Sequence, residues 1–220
     1  VIAAVQLAAA TYGARPLVTL GPTESIVVAD ESADPDCVAL DLLNEAEHGA
    51  DSAVLLLATD ATLAEAVADR LSVHLARLPE PRRSFARQAL TDLGGLFVVT
   101  DIDEAVAWIN RYAPEHLQLA VQNGMSVAAR IAHAGEILVG QHTPFSVANY
   151  AIGVPAALPT GGAGFAASGV TVESFLKTSS IAALSREGLR RLAPVAIRLG
   201  AHEGFPAHVA ALTSRAGVIA

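Results

Sequence analysis

Five short runs of aliphatic and β-branched residues alternate with longer stretches of helical spacing, and this alternation restricts the chain's fold more than any other feature. The runs are Ser25-Ile26-Val27-Val28-Ala29, Ala53 to Leu57, Leu96-Phe97-Val98-Val99, Leu117 to Val121 and Ile137 to Val139. Each is strand-length, and the stretches between them repeat apolar residues three and four apart. Parallel strands need a crossover of about a dozen residues or more, usually a helix. The alternation therefore implies an α/β fold whose mostly parallel sheet is flanked by helices. Composition agrees, since 52% of the residues are apolar but only 5% aromatic. Ala, Leu and Val must fill the core, and such side chains suit closely packed helices over buried strands.

Local signals sharpen the elements. Asp34 is an N-cap candidate and Pro35 suits a first helical turn, where its missing N–H costs nothing. Val38, Leu42 and Ala46 continue that helix towards a stop at Gly49. A second helix runs from Leu63 to about Leu78, and Pro79 and Pro81 separate it from another of about ten residues. Thr100 caps a helix over Asp101–Arg111, with Asp103 standing in for the glutamate of a capping box. A further helix centres on Val127–Ala132. After Pro159 the character changes: Thr160-Gly161-Gly162-Ala163-Gly164 reads as a hinge or connector, and most of the chain beyond it reads as helix. The organisation is an α/β domain over 1–159 and a helical C-terminal extension over 160–220.

Several classes of function are excluded or disfavoured. A net charge of −8 opposes nucleic-acid binding, which needs concentrated Lys and Arg. No apolar run approaches the about 20 residues that span a bilayer. The opening Val1-Ile2-Ala3-Ala4-Val5 lacks the flank and cleavage pattern of a signal peptide, and without an initiator methionine it reads as a start partway into a longer protein. A sole cysteine, Cys37, excludes an intrachain disulfide and fits a reducing, cytoplasmic setting. Its place in a helical apolar pattern makes it a core residue rather than a nucleophile.

Two carboxylate–histidine clusters carry the chemistry. In Glu45-Ala46-Glu47-His48, Glu45 and His48 stand three apart on one helix face, a spacing that suits two ligands of one metal ion. The alternative is an exposed pair at a helix C-terminus, where a histidine also complements the macrodipole. Tyr112-Ala113-Pro114-Glu115-His116-Leu117 comes after a helix end, with Pro114 expected to hold Ala113 extended. It would place Glu115 and His116 where loops converge outside a parallel sheet, as a base pair for near-neutral chemistry, unless it is a surface turn. The glycine-rich loop lacks the strand–turn–helix setting and the Gly-x-Gly-x-x-Gly of a dinucleotide fingerprint. His74, His133 and His142 match no ligand spacing.

From about Gly21 to Ala211 the chain resembles the C-terminal part of the histidinol dehydrogenase family. The segments that carry the resemblance are Gly21-Pro22-Thr23-Glu24, Ala29 to Pro35, Glu45 to His48, Tyr112 to Leu117, Asn149-Tyr150-Ala151, Leu158-Pro159-Thr160 and Glu203-Gly204-Phe205-Pro206-Ala207-His208. The resemblance implies a Rossmann-like sheet and an NAD-dependent, zinc-binding enzyme that oxidises L-histidinol through the aldehyde to L-histidine. By position it makes Glu45, His48, Asn149 and His208 the zinc ligands, the last from the partner subunit of a homodimer with shared active sites. Glu115 would activate water and His116 would act as general base. Thr23 and Glu203 would face the substrate alongside His116 and the metal ligands. By the same resemblance Gln6 would correspond to a cofactor-contacting glutamine, 1–20 would be the remnant of a preceding domain, and the extension over 160–220 would form the dimer.

Three departures bear on the reaction. The family pattern has glutamine at Glu45 and aspartate at Asn149, so an amide and a carboxylate are exchanged, leaving two histidines, one carboxylate and one amide. Ala156 stands where the family has a substrate-contacting histidine, which removes a polar partner for an imidazole. The stretch between Tyr12-Gly13 and Gly21-Pro22 is short, and about half the family's length, with most of its nicotinamide-binding domain, has no counterpart here. These departures leave two rivals. One is a two-electron dehydrogenase of another small polar amino alcohol or diol. The other is a catalytically inactive metal-binding or dimerisation fragment.

Overall fold

A computed structural model describes residues 2–12 and 21–215. Helix α1 (Ile2–Thr11) comes first; the side chain of Gln6 and the segment 13–20 lie outside the described residues. Five parallel strands then form one sheet: β1 (Glu24–Ala29), β2 (Ala53–Ala58), β3 (Gly95–Val98), β4 (His116–Ala120) and β5 (Glu136–Val139). Their order is β3-β2-β1-β4-β5, so the chain winds outward from β1 in both directions. All five agree within a residue or so with the apolar runs.

Central strands buried on both faces need continuous apolar sequence, which Ile26 to Ala29 and Val54 to Ala58 supply. Val27, Ala29, Leu56, Ala120 and Leu138 pack beneath α2 (Pro35–Ala46), α3 (Ala61–Arg77) and α7 (Phe145–Tyr150). Ile26, Val28, Leu57, Leu117 and Leu119 face the other way, against α5 (Ile102–Tyr112) and α6 (Gly124–Ala128). A short helix, α4 (Arg82–Gln88), continues as a wide turn over Ala89–Leu93 before β3.

Capping residues decide where the helices begin and end. Asp34 accepts from the Asp36 amide at 2.8 Å with Pro35 in the first turn, as expected. Helix α2 stops at Ala46, so His48 lies in the turn beyond it rather than on its face. The α5 cap is Asp101, not Thr100: its carboxylate accepts from the Glu104 amide at 2.9 Å. Glu104 in turn accepts from the amide of Thr100, the residue before the cap, at 2.7 Å, so it is Glu104 rather than Asp103 that reaches back across the helix start. Ala113 is left-handed (φ 56°) rather than extended, and its amide donates to Ile109 at 2.8 Å. Pro114 disfavours the right-handed helical region there, and the terminating hydrogen bond selects the left-handed one.

Cys37 is exposed, against the core placement read from its pattern. The buried stripe of α2 is Val38, Ala39, Leu42, Leu43 and Ala46, and Cys37 falls outside it. Desolvation, then the carboxylates of Asp34, Asp41 and Asp36, hold its thiol above the usual range, which disfavours a nucleophilic thiolate.

The chain divides into two compact units, Val1–Phe175 and Leu176–Ala220. The boundary falls at 175 rather than 159, because the segment after Pro159 is tied to the sheet unit. The Gly161 amide donates to Glu24 at 2.9 Å, and Leu158 and Thr160 are buried. That segment carries two short turns of 3-10 helix, and α-helix resumes only in the second unit. There α8 (Arg186–His202) and α9 (Pro206–Thr213) pack where Gly200 admits Val209 and His208, joined by a turn with Gly204 at φ 74°. No described helix is long and apolar enough to cross a membrane.

Candidate active site

Open α/β sheets ordinarily hold ligands at the carboxyl ends of their strands, at the switch point of strand order. Here, at the carboxyl end of β1, Asp30 engages backbone amides of the neighbouring loops. Asp30 accepts from the Gln122 amide at 2.9 Å and from the Ser32 amide at 3.0 Å. The polar groups gather instead at the amino edge. Crossover helices run antiparallel to the strands they join, so the last turns of α2 and α5 come back to that edge with Glu45 and with the loop to Glu115.

Three strand mouths there each carry a glutamate: Glu24 opens β1, Glu115 immediately precedes β4, and Glu136 opens β5. Pairing register aligns Ser25 with His116 and His116 with Glu136. Paired residues of neighbouring strands project to the same face, so this row lies beneath α2. His116 is 6% exposed and Glu136 8%. Their side chains meet at 2.5 Å, Nδ1 to Oε1. A carboxylate only accepts, so this contact favours the neutral-ring tautomer with its hydrogen on Nδ1 and the lone pair on Nε2. Nε2 faces Glu115 Oε2 at 3.7 Å and Glu45 Oε2 at 3.8 Å. The Phe145 ring closes the other side, edge-on at 5.7 Å between centroids.

This crowding sets the electrostatics. Burial works against the charged imidazolium of His116, but the Glu136 hydrogen bond and the Glu45 and Glu115 charges outweigh it and raise its pKa. Burial raises Glu115 too, against the pull of His116 and of the Glu24 amide, which donates to it at 3.2 Å. Glu45 is fully buried and raised by that burial, with His116, His48 and Asn44 opposing. Asn44 donates to Glu45 Oε1 at 2.6 Å, while Oε2 has no hydrogen-bond partner among the described residues. A buried, unpartnered carboxylate oxygen is costly, and a cation is the partner its chemistry suits.

Of the expected site residues, the fold brings Glu45, Glu115 and His116 together. Thr23 precedes β1 beside them, and its carbonyl accepts from the Ala53 amide at 2.9 Å. His48 is exposed; its Nδ1 donates to the Glu45 carbonyl at 3.2 Å, leaving Nε2 as its acceptor atom. Asn149 is half-buried on α7, which packs against α2. Ala156 is exposed. Glu203 and His208 belong to the second unit, both exposed, with the His208 ring 5.1 Å from that of Phe205. Among the described residues no three His, Cys, Asp or Glu side chains converge as a metal cage. The glycine-rich loop is no phosphate cradle: Gly161 and Gly162 are left-handed (φ 63° and 76°), and the Gly161 amide is committed to Glu24.

Glu24 and Glu136 are the participants that motif reading missed as site residues. A signal for them exists in the sequence. Glu24, Glu115 and Glu136 each stand one or two residues before an apolar strand run, and an acid recurring near that position marks one edge of a parallel sheet. The assembled group can accept a proton at Nε2, spread the resulting charge over neighbouring carboxylates, and bind a cation at Glu45.

Comparisons with known proteins agree over nearly the whole chain. A family model described as histidinol dehydrogenase matches residues 7–216. The histidinol dehydrogenase of Synechocystis sp. is 45% identical over 199 residues, covering 90% of this chain and 46% of that protein. A histidinol dehydrogenase homolog from Colwellia psychrerythraea is 41% identical over 194 residues, 88% of this chain and 44% of its own length. The crystal structure of histidinol dehydrogenase from Elizabethkingia anophelis superposes with a TM-score of 0.93 at 36% identity, covering 98% of this chain and 49% of that one. The chain spans about half the length of the curated relatives it matches.

Proposed function

Since this chain belongs to the histidinol dehydrogenase family, we propose that the protein carrying it is an NAD-dependent, zinc-binding oxidoreductase that converts L-histidinol through the aldehyde to L-histidine. The observation that supports this best is the buried His116 ring, tethered at Nδ1 and presenting Nε2 between Glu115 and Glu45. His116 takes the proton of the substrate hydroxyl at Nε2, and its raised basicity suits work near neutral pH. Glu115, raised by burial, then takes a proton from the water that adds to the aldehyde. Phe145 and the buried strand mouths keep bulk water from the ring.

Glu45, His48 and Asn149 would hold zinc, with His208 contributed by the second copy of a homodimer. The unpartnered Glu45 oxygen and the available His48 Nε2 fit that demand. Bound there, zinc would supply Lewis-acid polarisation of the substrate hydroxyl, and NAD would serve as the hydride acceptor. Gln6 is the candidate cofactor contact, and Thr23 and Glu203 the candidate substrate contacts.

Ala156 favours a second reading, a two-electron oxidation of another small polar amino alcohol or diol, because a methyl group replaces an imidazole partner. One assay separates the two: zinc content and NADH yield of the full-length protein with L-histidinol. Two NADH per alcohol with a carboxylate product supports the first reading. Bound zinc without histidinol turnover supports the second, and neither zinc nor turnover overturns both. His116→Ala is expected to lower kcat at least about 10²-fold while the far-UV circular dichroism is unchanged; a variant that turns over normally removes His116 from the mechanism.

A further inference from the structure

We infer that Glu136, a residue outside the recognised motifs, is the positioning residue that makes His116 a one-sided base by locking the Nδ1–H tautomer. The inference rests on the base role proposed for His116. Its geometric support is independent of that role.

The pair is a product of strand register. His116 and Glu136 are direct partners in the parallel ladder between β4 and β5, both at the first residue of their strands. Two backbone hydrogen bonds pin the strand mouths, Glu136 amide to Glu115 carbonyl at 3.0 Å and Gly135 amide to Pro114 carbonyl at 2.8 Å. Partners in such a ladder point their side chains the same way, so the carboxylate meets the ring without a long, freely rotating linker. The 2.5 Å contact is buried at both ends, where a charge-assisted hydrogen bond is strong and its loss costly.

A neutral imidazole has one hydrogen and two nitrogens to place it on. If it sat on Nε2, the acceptor would face Glu136, two acceptors would meet, and the atom facing Glu45 and Glu115 could take no proton. With the Nδ1 hydrogen held by the Glu136 oxygen, the lone pair at Nε2 faces the site. When the substrate O–H bond breaks and an Nε2–H bond forms, the imidazolium charge falls beside the Glu136 carboxylate. Phe145 restricts rotation of the ring about this arrangement.

The test uses the full-length protein with Glu136→Gln and Glu136→Asp. Glutamine keeps the shape, but its amide can also donate to Nδ1, so the tautomer is no longer fixed. Expected for E136Q is a kcat lowered about 10²-fold or more, with KM within about threefold of the parent, and for E136D a recovery of at least about tenfold over E136Q. Nitrogen-15 spectra of histidine-labelled protein, recorded at alkaline pH with assignment by the His116→Ala variant, read the tautomer directly. The parent should show hydrogen on Nδ1, and E136Q should show a mixture or hydrogen on Nε2.

An E136Q protein with parental kcat, or a parent ring with hydrogen on Nε2, overturns the proposal. So does an unchanged tautomer in E136Q. Should the parent turn over no alcohol at all, the proposed function fails, while the resting-state spectra still decide whether Glu136 sets the tautomer.

Discussion

Asp41 and Glu45 stand one turn apart on the buried side of α2, above the sheet residues Gln118 and His116. Burial pushes the Asp41 carboxyl up to about 6, against a hydrogen bond from Gln118 and with a small addition from the Glu45 charge. Its folded value therefore exceeds the ordinary 3.8, and the native state holds a proton that the unfolded chain releases. This contribution to stability is complete below the unfolded value and is lost as pH rises through the folded one. Asp41→Asn, which keeps the shape and an acceptor for Gln118, should match the parent at low pH. By pH 8 it should be more stable by on the order of 2 kcal/mol. Urea denaturation across that range checks it; parallel pH curves for the two proteins would show that Asp41 does not titrate in this way. Desolvation likewise raises Glu45 and Glu115, so the packing of α2 on the strand mouths governs the charge of this cluster.

Elements meet at the site through backbone as closely as through side chains. Gly135 lies one residue before Glu136, and a Cβ there would stand 2.5 Å from the Glu115 carbonyl and 3.2 Å from Pro159. Neither neighbour is a flexible side-chain end, so an added methyl must part the mouths of β4 and β5. Gly135→Ala is expected to lower stability by about 1–3 kcal/mol through overpacking. It should also reduce turnover beyond that loss, because the Glu136–His116 contact opens. Thermal melts and kcat of the variant give the comparison, and a protein that melts and turns over like the parent contradicts this account. At the opposite edge Asp30 likewise ties backbone together, accepting from the Ser32 and Gln122 amides.

At the scale of the molecule, the two units are joined by a strand of exposed chain. Residues 176–185 have no helix or strand, and nothing in them is buried before Ser185 caps α8 through the Gly188 amide at 3.0 Å. Lys177, the sole lysine of the chain, lies in this connector. A lysine-specific protease should therefore make one rapid cut in this chain and release a fragment ending at Lys177, since exposed irregular chain is the preferred site of nicking. Resistance of the native protein, with cleavage only after denaturation, would mean that the connector is covered in the assembled protein.

Read alone, the chain already determines its sheet, because five aliphatic runs separated by crossover-length helices leave few alternatives to a parallel α/β layer. It also determines the capping of α2 by Asp34 and the pairing of Glu115 with His116, which are local and written in adjacent residues. Local pattern misplaced the α5 cap, the conformation of Ala113 and the exposure of Cys37. Each depends on where a helix stops or which way it faces, and neighbouring elements set both. Only the tertiary structure decided that His116 is answered by Glu136, twenty residues away, since strand register is a long-range property with no local mark. It decided as well that the cluster of Glu45, Glu115, His116 and Glu136 lies at the amino edge of the sheet. There the ends of antiparallel crossover helices bring Glu45 over the ring, and burial makes ordinary carboxylates into proton acceptors.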